Sequence, residues 1–248
     1  MDQQTNEIKK YLLRGSLQTT AGGNGDDAHI NQITDCYSLV INSDASYAYV
    51  SDLNNNRICR CSLKTLGDVF IIAGRMGLGN ELNYLAHPRG IHVIKNHFYV
   101  ADTGNGRLMQ VELNTSQISI VISGSHSSFY RYQLNQPTSI ISDQYDKNFY
   151  IADQGRILQW RFNVQRMVKL VDNRIASIGN EIYGLKLTEN DCYLYATDKL
   201  NYRILKINTM ISKCIGENSA PMVATTYSSY FACLLLMVVV NITMRFEQ

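Results

Sequence analysis

The sequence predicts an all-β fold, a β-propeller of four blades of about 45–51 residues each, and three observations predict it. One pattern recurs four times, with its aspartates 50, 51 and 45 residues apart. A second pattern recurs ahead of each aspartate in phase with the first. Sixteen tyrosines and only three prolines suit many short paired strands. A period near 50 matches a four-stranded blade and exceeds that of most helical solenoids.

The first pattern reads Tyr49-Val50-Ser51-Asp52 through Arg57-Ile58, then Tyr99-Val100-Ala101-Asp102 through Arg107-Leu108. It returns as Tyr150-Ile151-Ala152-Asp153-Gln154-Gly155-Arg156-Ile157, two residues shorter, and as Tyr195-Ala196-Thr197-Asp198 through Arg203-Ile204. A small residue precedes each aspartate: Ser38, Gly90, Ser139 and Gly184, at 14, 12, 14 and 14 residues. Each unit therefore predicts four strands. The first carries the small residue, where strands crowd around an axis and side chains have little room. The second is the aromatic and β-branched run ending in Asp. The third starts at Arg-Ile after a turn rich in Asn and Gly. The fourth is the apolar run before Ala-Gly or Ser-Gly, as in Val69–Gly74 and Ile118–Gly124.

The spacing Asp-x-x-Asn-x-Arg-Ile/Leu, with Asn55, Asn105 and Asn201 in three copies, resembles the NHL repeat over roughly residues 20–210. The resemblance implies a propeller, usually of five or six blades, that serves as an interaction platform. In tripartite-motif proteins such domains bind RNA or protein, and elsewhere they occur in secreted, membrane or bacterial surface proteins. It also raises a ubiquitin-ligase substrate-recognition role, although no RING-type cysteine pattern accompanies the repeats.

Apolar residues make up 45% and charged residues 18%, which excludes a disordered composition. A net charge of +2 calls for neither nucleic acid nor an anionic surface as partner. The six cysteines contain no CxxC pair, so no zinc ribbon is encoded, and they read as small buried or half-buried residues. Phosphate loops, Gly-x-Ser-x-Gly and HExxH are also missing.

Taken singly, Asp52, Asp102, Asp153 and Asp198 look like catalytic carboxylates. Their repetition assigns them a structural role, each clamped by the arginine of its own copy: Arg57, Arg107, Arg156 and Arg203. Asp and Arg survive the two-residue deletion in copy three together, as a working pair would. The positions just before the small residues, Tyr37, Arg89, Thr138 and Tyr183, are the candidate binding residues. They are expected at one mouth of the axial channel, and aromatic and arginine side chains dominate binding hot spots. More Lys and Arg would be needed there for RNA, so a protein partner is expected, with RNA weakly supported. The expectation is therefore a non-enzyme with no cofactor and no metal. The alternative is a propeller lyase or hydrolase with an axial metal. A zinc-dependent amidating lyase of this architecture takes its ligands from inner-strand histidines, and Asp35, His87, Gln136 and Glu181 stand three residues before the small residues here.

The domain expectation is a tail at 1–10, the propeller at 11–215 and an apolar segment at 216–248. Met222 to Met244 carries no charge and Phe231 to Val240 is continuously apolar, a candidate membrane anchor, with the side of the membrane left open. Met1 to Lys10 has no apolar core of a signal peptide. Leu17–Gly23 resembles the fourth strand of a blade, so the chain reads as an arc of a larger propeller. Ile211–Ile215 would then complete blade four; in the competing, closed reading residues 11–21 do so. Asn114-Thr115-Ser116 and Asn241-Ile242-Thr243 are glycosylation sequons.

Overall fold

In the computed structural model, residues 7–11, 17–22, 32–65, 67–123, 133–172, 178–209 and 223–228 are described. The fold is all-β, with four four-stranded antiparallel sheets, each a meander of consecutive strands. The chain divides into two compact units, residues 1–137 and 138–248.

Unit one opens with β1 (Glu7–Tyr11) and β2 (Leu17–Gly22), an antiparallel two-stranded ribbon. Blade one follows as β3 (Cys36–Ile41), β4 (Tyr47–Asp52), β5 (Arg57–Ser62) and β6 (Val69–Ala73). Blade two is β7 (Pro88–Ile94), β8 (His97–Asp102), β9 (Arg107–Glu112) and β10 (Ile118–Ile122). Blade three is β11 (Pro137–Ser142), β12 (Asn148–Asp153), β13 (Arg156–Arg161) and β14 (Arg166–Asp172), all in unit two but for Pro137. Blade four comprises β15 (Ile182–Leu187), β16 (Tyr193–Asp198), β17 (Arg203–Asn208) and β18 (Val223–Ser228).

Two local rules repeat. In three blades the register slips within the first strand, between Cys36 and Leu39, Pro88 and Ile91, and Ile182 and Leu185. Those stretches hold Ser38, Gly90 and Gly184, so the small residues mark bulges that re-aim the first strand. In blades one and four a second-strand hydroxyl fills the missing ladder bond: Ser38 N donates to Ser51 Oγ at 2.8 Å, and Gly184 N to Thr197 Oγ1 at 2.8 Å. The second rule is that Asp and Arg close the hairpin between strands two and three as directly facing partners in every blade. In blades one, two and four the last turn residue is left-handed: Asn56, Gly106 and Tyr202, at φ 53°, 59° and 50°. Blade three shrinks the turn to Gln154 and Gly155, both left-handed at φ 39° and 73°, the two-residue geometry whose twist matches the strands.

The β4 strand is buried on both faces, and the two faces serve different layers. Tyr49 packs with Ile58, Leu85, Ile91, Phe98, Val100 and Met109 between blades one and two, its ring 5.1 Å from that of Phe98. Val50 joins Cys36, Cys59, Cys61, Val69 and Ile33 on the opposite face, where Ile8 from the ribbon covers the thiols. In unit two, Tyr150, Ile157, Val171, Ile182, Leu185, Leu194 and Leu205 form the layer between blades three and four.

Two terminal expectations change. The strand at Leu17–Gly22 pairs with β1, which lies mostly in the expected tail, and the blade-four pairing of the competing, closed reading is not made among the described residues. Blade four takes its fourth strand from Val223–Ser228, paired to β17, so the segment beginning at Met222 enters the sheet before its apolar run. Ile211–Ile215 and residues 229–248 lie outside the described residues. Among the described residues no helix is long and apolar enough to cross a membrane.

Candidate functional site

The repeated acids and bases come together as ion pairs internal to each blade. Arg57 Nε donates to Asp52 Oδ2 at 2.8 Å and Arg107 Nε to Asp102 Oδ2 at 2.7 Å. Arg156 reaches Asp153 at 2.6 Å and Arg203 reaches Asp198 at 2.9 Å. All four carboxylates are buried. The asparagine of the turn is the third partner: Asn55, Asn105 and Asn201 each donate to the aspartate of their copy, at 3.0, 2.8 and 2.8 Å.

These clusters also tie down the loop that leads into their blade. Asp102 accepts the Ala86 amide at 2.7 Å, and Arg107 donates to the carbonyls of Asn80, Glu81 and Tyr84 at 2.6, 3.0 and 2.9 Å. Asn105 adds the Gly79 carbonyl at 2.8 Å. In blade one Asp52 accepts the Thr34 amide at 2.9 Å while Arg57 reaches the Gln32 carbonyl at 2.6 Å. In blade four the Gly179 amide donates to Asp198 at 3.2 Å. Burial pushes the Asp102 carboxyl above its ordinary value, against the opposing pull of Ala86, Asn105 and Arg107. A carboxylate so buried and so engaged is held by its own blade.

The expected binding residues fare unequally. In unit one, on the first strands of blades one and two, the Arg89 guanidinium lies over the Tyr37 ring at 5.1 Å. Arg89 Nε is buried without a hydrogen-bond partner among the described residues. In unit two, Tyr183 lies beneath Lys199, whose ammonium is 4.6 Å from the ring centroid and donates to the Tyr183 hydroxyl at 2.9 Å. That hydroxyl, and then Glu181 at 3.5 Å, raise the Lys199 pKa. Lys199 was missed, though its place directly after the motif aspartate was a signal. Thr138 is 3% exposed, and its hydroxyl donates to the Ile182 carbonyl at 2.8 Å, which makes it a scaffold residue.

Of the four axial donors, Asp35 and His87 are exposed at left-handed bends, φ 52° and 47°, and Glu181 pairs with Lys199. Among the described residues no three His, Cys, Asp or Glu side chains are grouped to hold a metal. Cys36, Cys59 and Cys61 are free and buried, while Cys192 is disulfide-bonded. Burial pushes the thiols up, those of Cys59 and Cys61 to about 12.

No protein-family description matches the chain, and no curated protein does. Among solved structures it is similar to a chain of the nidogen–laminin complex, 17% identical with a TM-score of 0.61, over 82% of this chain and 71% of that one. It is similar to streptogramin B lyase, 15% identical with a TM-score of 0.62, over 92% of this chain and 63% of that one. A catalytically inactive virginiamycin B lyase from Staphylococcus aureus with quinupristin is 14% identical, with a TM-score of 0.60, over 91% and 64%. At these identities the likeness shows the fold, a β-propeller. The chain spans less than two thirds of the length of either lyase.

Proposed function

We propose that this chain is a non-catalytic propeller of the NHL type that acts as a protein-interaction platform. The observation that carries the reading is the division of labour among its charged residues. The four motif arginines are ion-paired inside their blades, whereas Arg89 makes no ion pair among the described residues and presents a guanidinium stacked on Tyr37. Arg89 is half-buried, and its guanidinium keeps donors that an incoming carboxylate or carbonyl can accept from. Tyr and Arg are also the side chains most enriched where interfaces concentrate their energy.

RNA is the weaker partner, because phosphate binding draws on many Lys and Arg and the charge balance is near neutral. Membrane attachment rests on residues 229–248 alone. The rival lyase reading needs Asp35, His87, Gln136 and Glu181 to hold an axial metal, and Glu181 is already paired. The test is capture of a partner by the purified full chain in the presence of a metal chelator, with Arg89→Ala run beside the wild type. The platform reading expects capture that survives chelation and falls at least tenfold in Arg89→Ala. Capture abolished by chelation, or turnover restored by zinc, would favour the lyase.

A further inference from the structure

We propose that Asn114 is an N-glycosylation site, and that the chain matures in an oxidising secretory compartment. The proposal does not rest on the platform reading. The sequon Asn114-Thr115-Ser116 occupies the tight turn between β9 and β10, and residues 114–117 are all exposed. Two backbone bonds fix the turn, Glu112 N to Gln117 O at 2.9 Å and Ser116 N to Glu112 O at 2.8 Å.

Within that turn the three sequon residues divide their work. Thr115, the middle residue whose identity the sequon leaves free, holds the turn: its hydroxyl donates to Glu112 Oε2 at 2.7 Å and accepts the Gln117 amide at 3.2 Å. The Asn114 carboxamide and the Ser116 hydroxyl, the two groups the modification requires, make no hydrogen bond to any described residue. A second feature, far away in sequence, agrees. Cys192 is disulfide-bonded, and disulfides persist in oxidising compartments.

The step is a glycosyl transfer from a lipid-diphosphate-linked oligosaccharide. A bond forms from Asn114 Nδ2 to the anomeric carbon, the anomeric C–O bond breaks, the lipid diphosphate leaves with the electron pair, and the amide gives up one proton. The glycan would stand beside β10, an edge strand of its sheet with Ile120 47% exposed. Bulky hydrophilic cover there blunts an edge that otherwise templates strand pairing.

The experiment is translation of the full chain behind a secretion signal into microsomes, in an Asn241→Gln background that removes the other sequon. The expected result is a slower-migrating band that peptide N-glycosidase collapses and that both Asn114→Gln and Ser116→Ala abolish. Ser116→Ala removes an exposed, unengaged hydroxyl, so loss of the band cannot be ascribed to misfolding. A protected, translocated chain that shows no glycosidase-sensitive band overturns the proposal, as does a band that persists in Asn114→Gln.

Discussion

Asp102 concentrates the chemistry of the repeat in one side chain. It is wholly buried, Arg107 is 7% exposed, and the pair fastens three carbonyls of the incoming loop. Removing one member of a buried pair leaves the other charge stranded, which costs about 3–5 kcal/mol. Asp102→Ala should therefore lower the urea midpoint steeply, and an Asp102→Ala protein as stable as the wild type would refute the scaffold role. The thiols under Ile8 make a prediction of their own. Cys59 and Cys61 titrate at about 12 in the fold against an ordinary 9.0. Below pH 9 both states hold these protons and stability is unaffected. Between 9 and 12 the unfolded chain releases them while the fold keeps them, so stability falls as pH rises, by at most about 1.4 kcal/mol per thiol per pH unit. Urea titrations at pH 8 and pH 10 should show this loss, and Cys59→Val with Cys61→Val should flatten it. The same burial should keep both thiols from iodoacetamide until the protein is unfolded.

At the scale of the element, the turns decide which substitutions are tolerated. Gly74 ends β6 at φ 76°, and a Cβ there would overlap the Asn56 carbonyl oxygen and press on the Arg57 Cα at 2.9 Å. Those are backbone atoms of the turn that carries the ion pair, so they cannot swing aside. Gly67 has a similar φ of 81° but open space around it. Gly67→Ala should thus cost only the left-handed strain, about 1–2 kcal/mol. Gly74→Ala should cost clearly more, and equal melting shifts for the two would show that the close approach is unimportant. Strands were legible wherever the Tyr-to-Asp run and the following Arg-Ile or Arg-Leu recurred in each copy, and the two-residue hairpin of blade three was legible from Gln154-Gly155. The β1 strand was not, because Glu7-Ile8-Lys9-Lys10-Tyr11 mixes three charged residues with one aliphatic one. The β18 strand was hidden because the stronger apolar run after it dominates the segment.

For the whole molecule, the sequence located the blades and the Asp–Arg clamps but told less about the surface. What Arg107 grips beyond Asp102 is backbone carbonyl, which leaves no mark in side-chain identity. Thr138 shared an alignment slot with Tyr37, Arg89 and Tyr183, yet its hydroxyl is committed to the Ile182 carbonyl. Arg89 and Tyr37 are brought together on neighbouring first strands, an arrangement suggested by the repeat phase alone. The central claim is that binding rests on this half-buried pair while the fully buried motif carboxylates only hold the fold. It is tested most directly by measuring the affinity of one captured partner for wild type, Arg89→Ala and Tyr37→Ala, each first shown to melt with the wild type. The account predicts that either substitution weakens binding by at least tenfold, about 1.4 kcal/mol, without altering the melt. Unchanged affinity in both variants would contradict it.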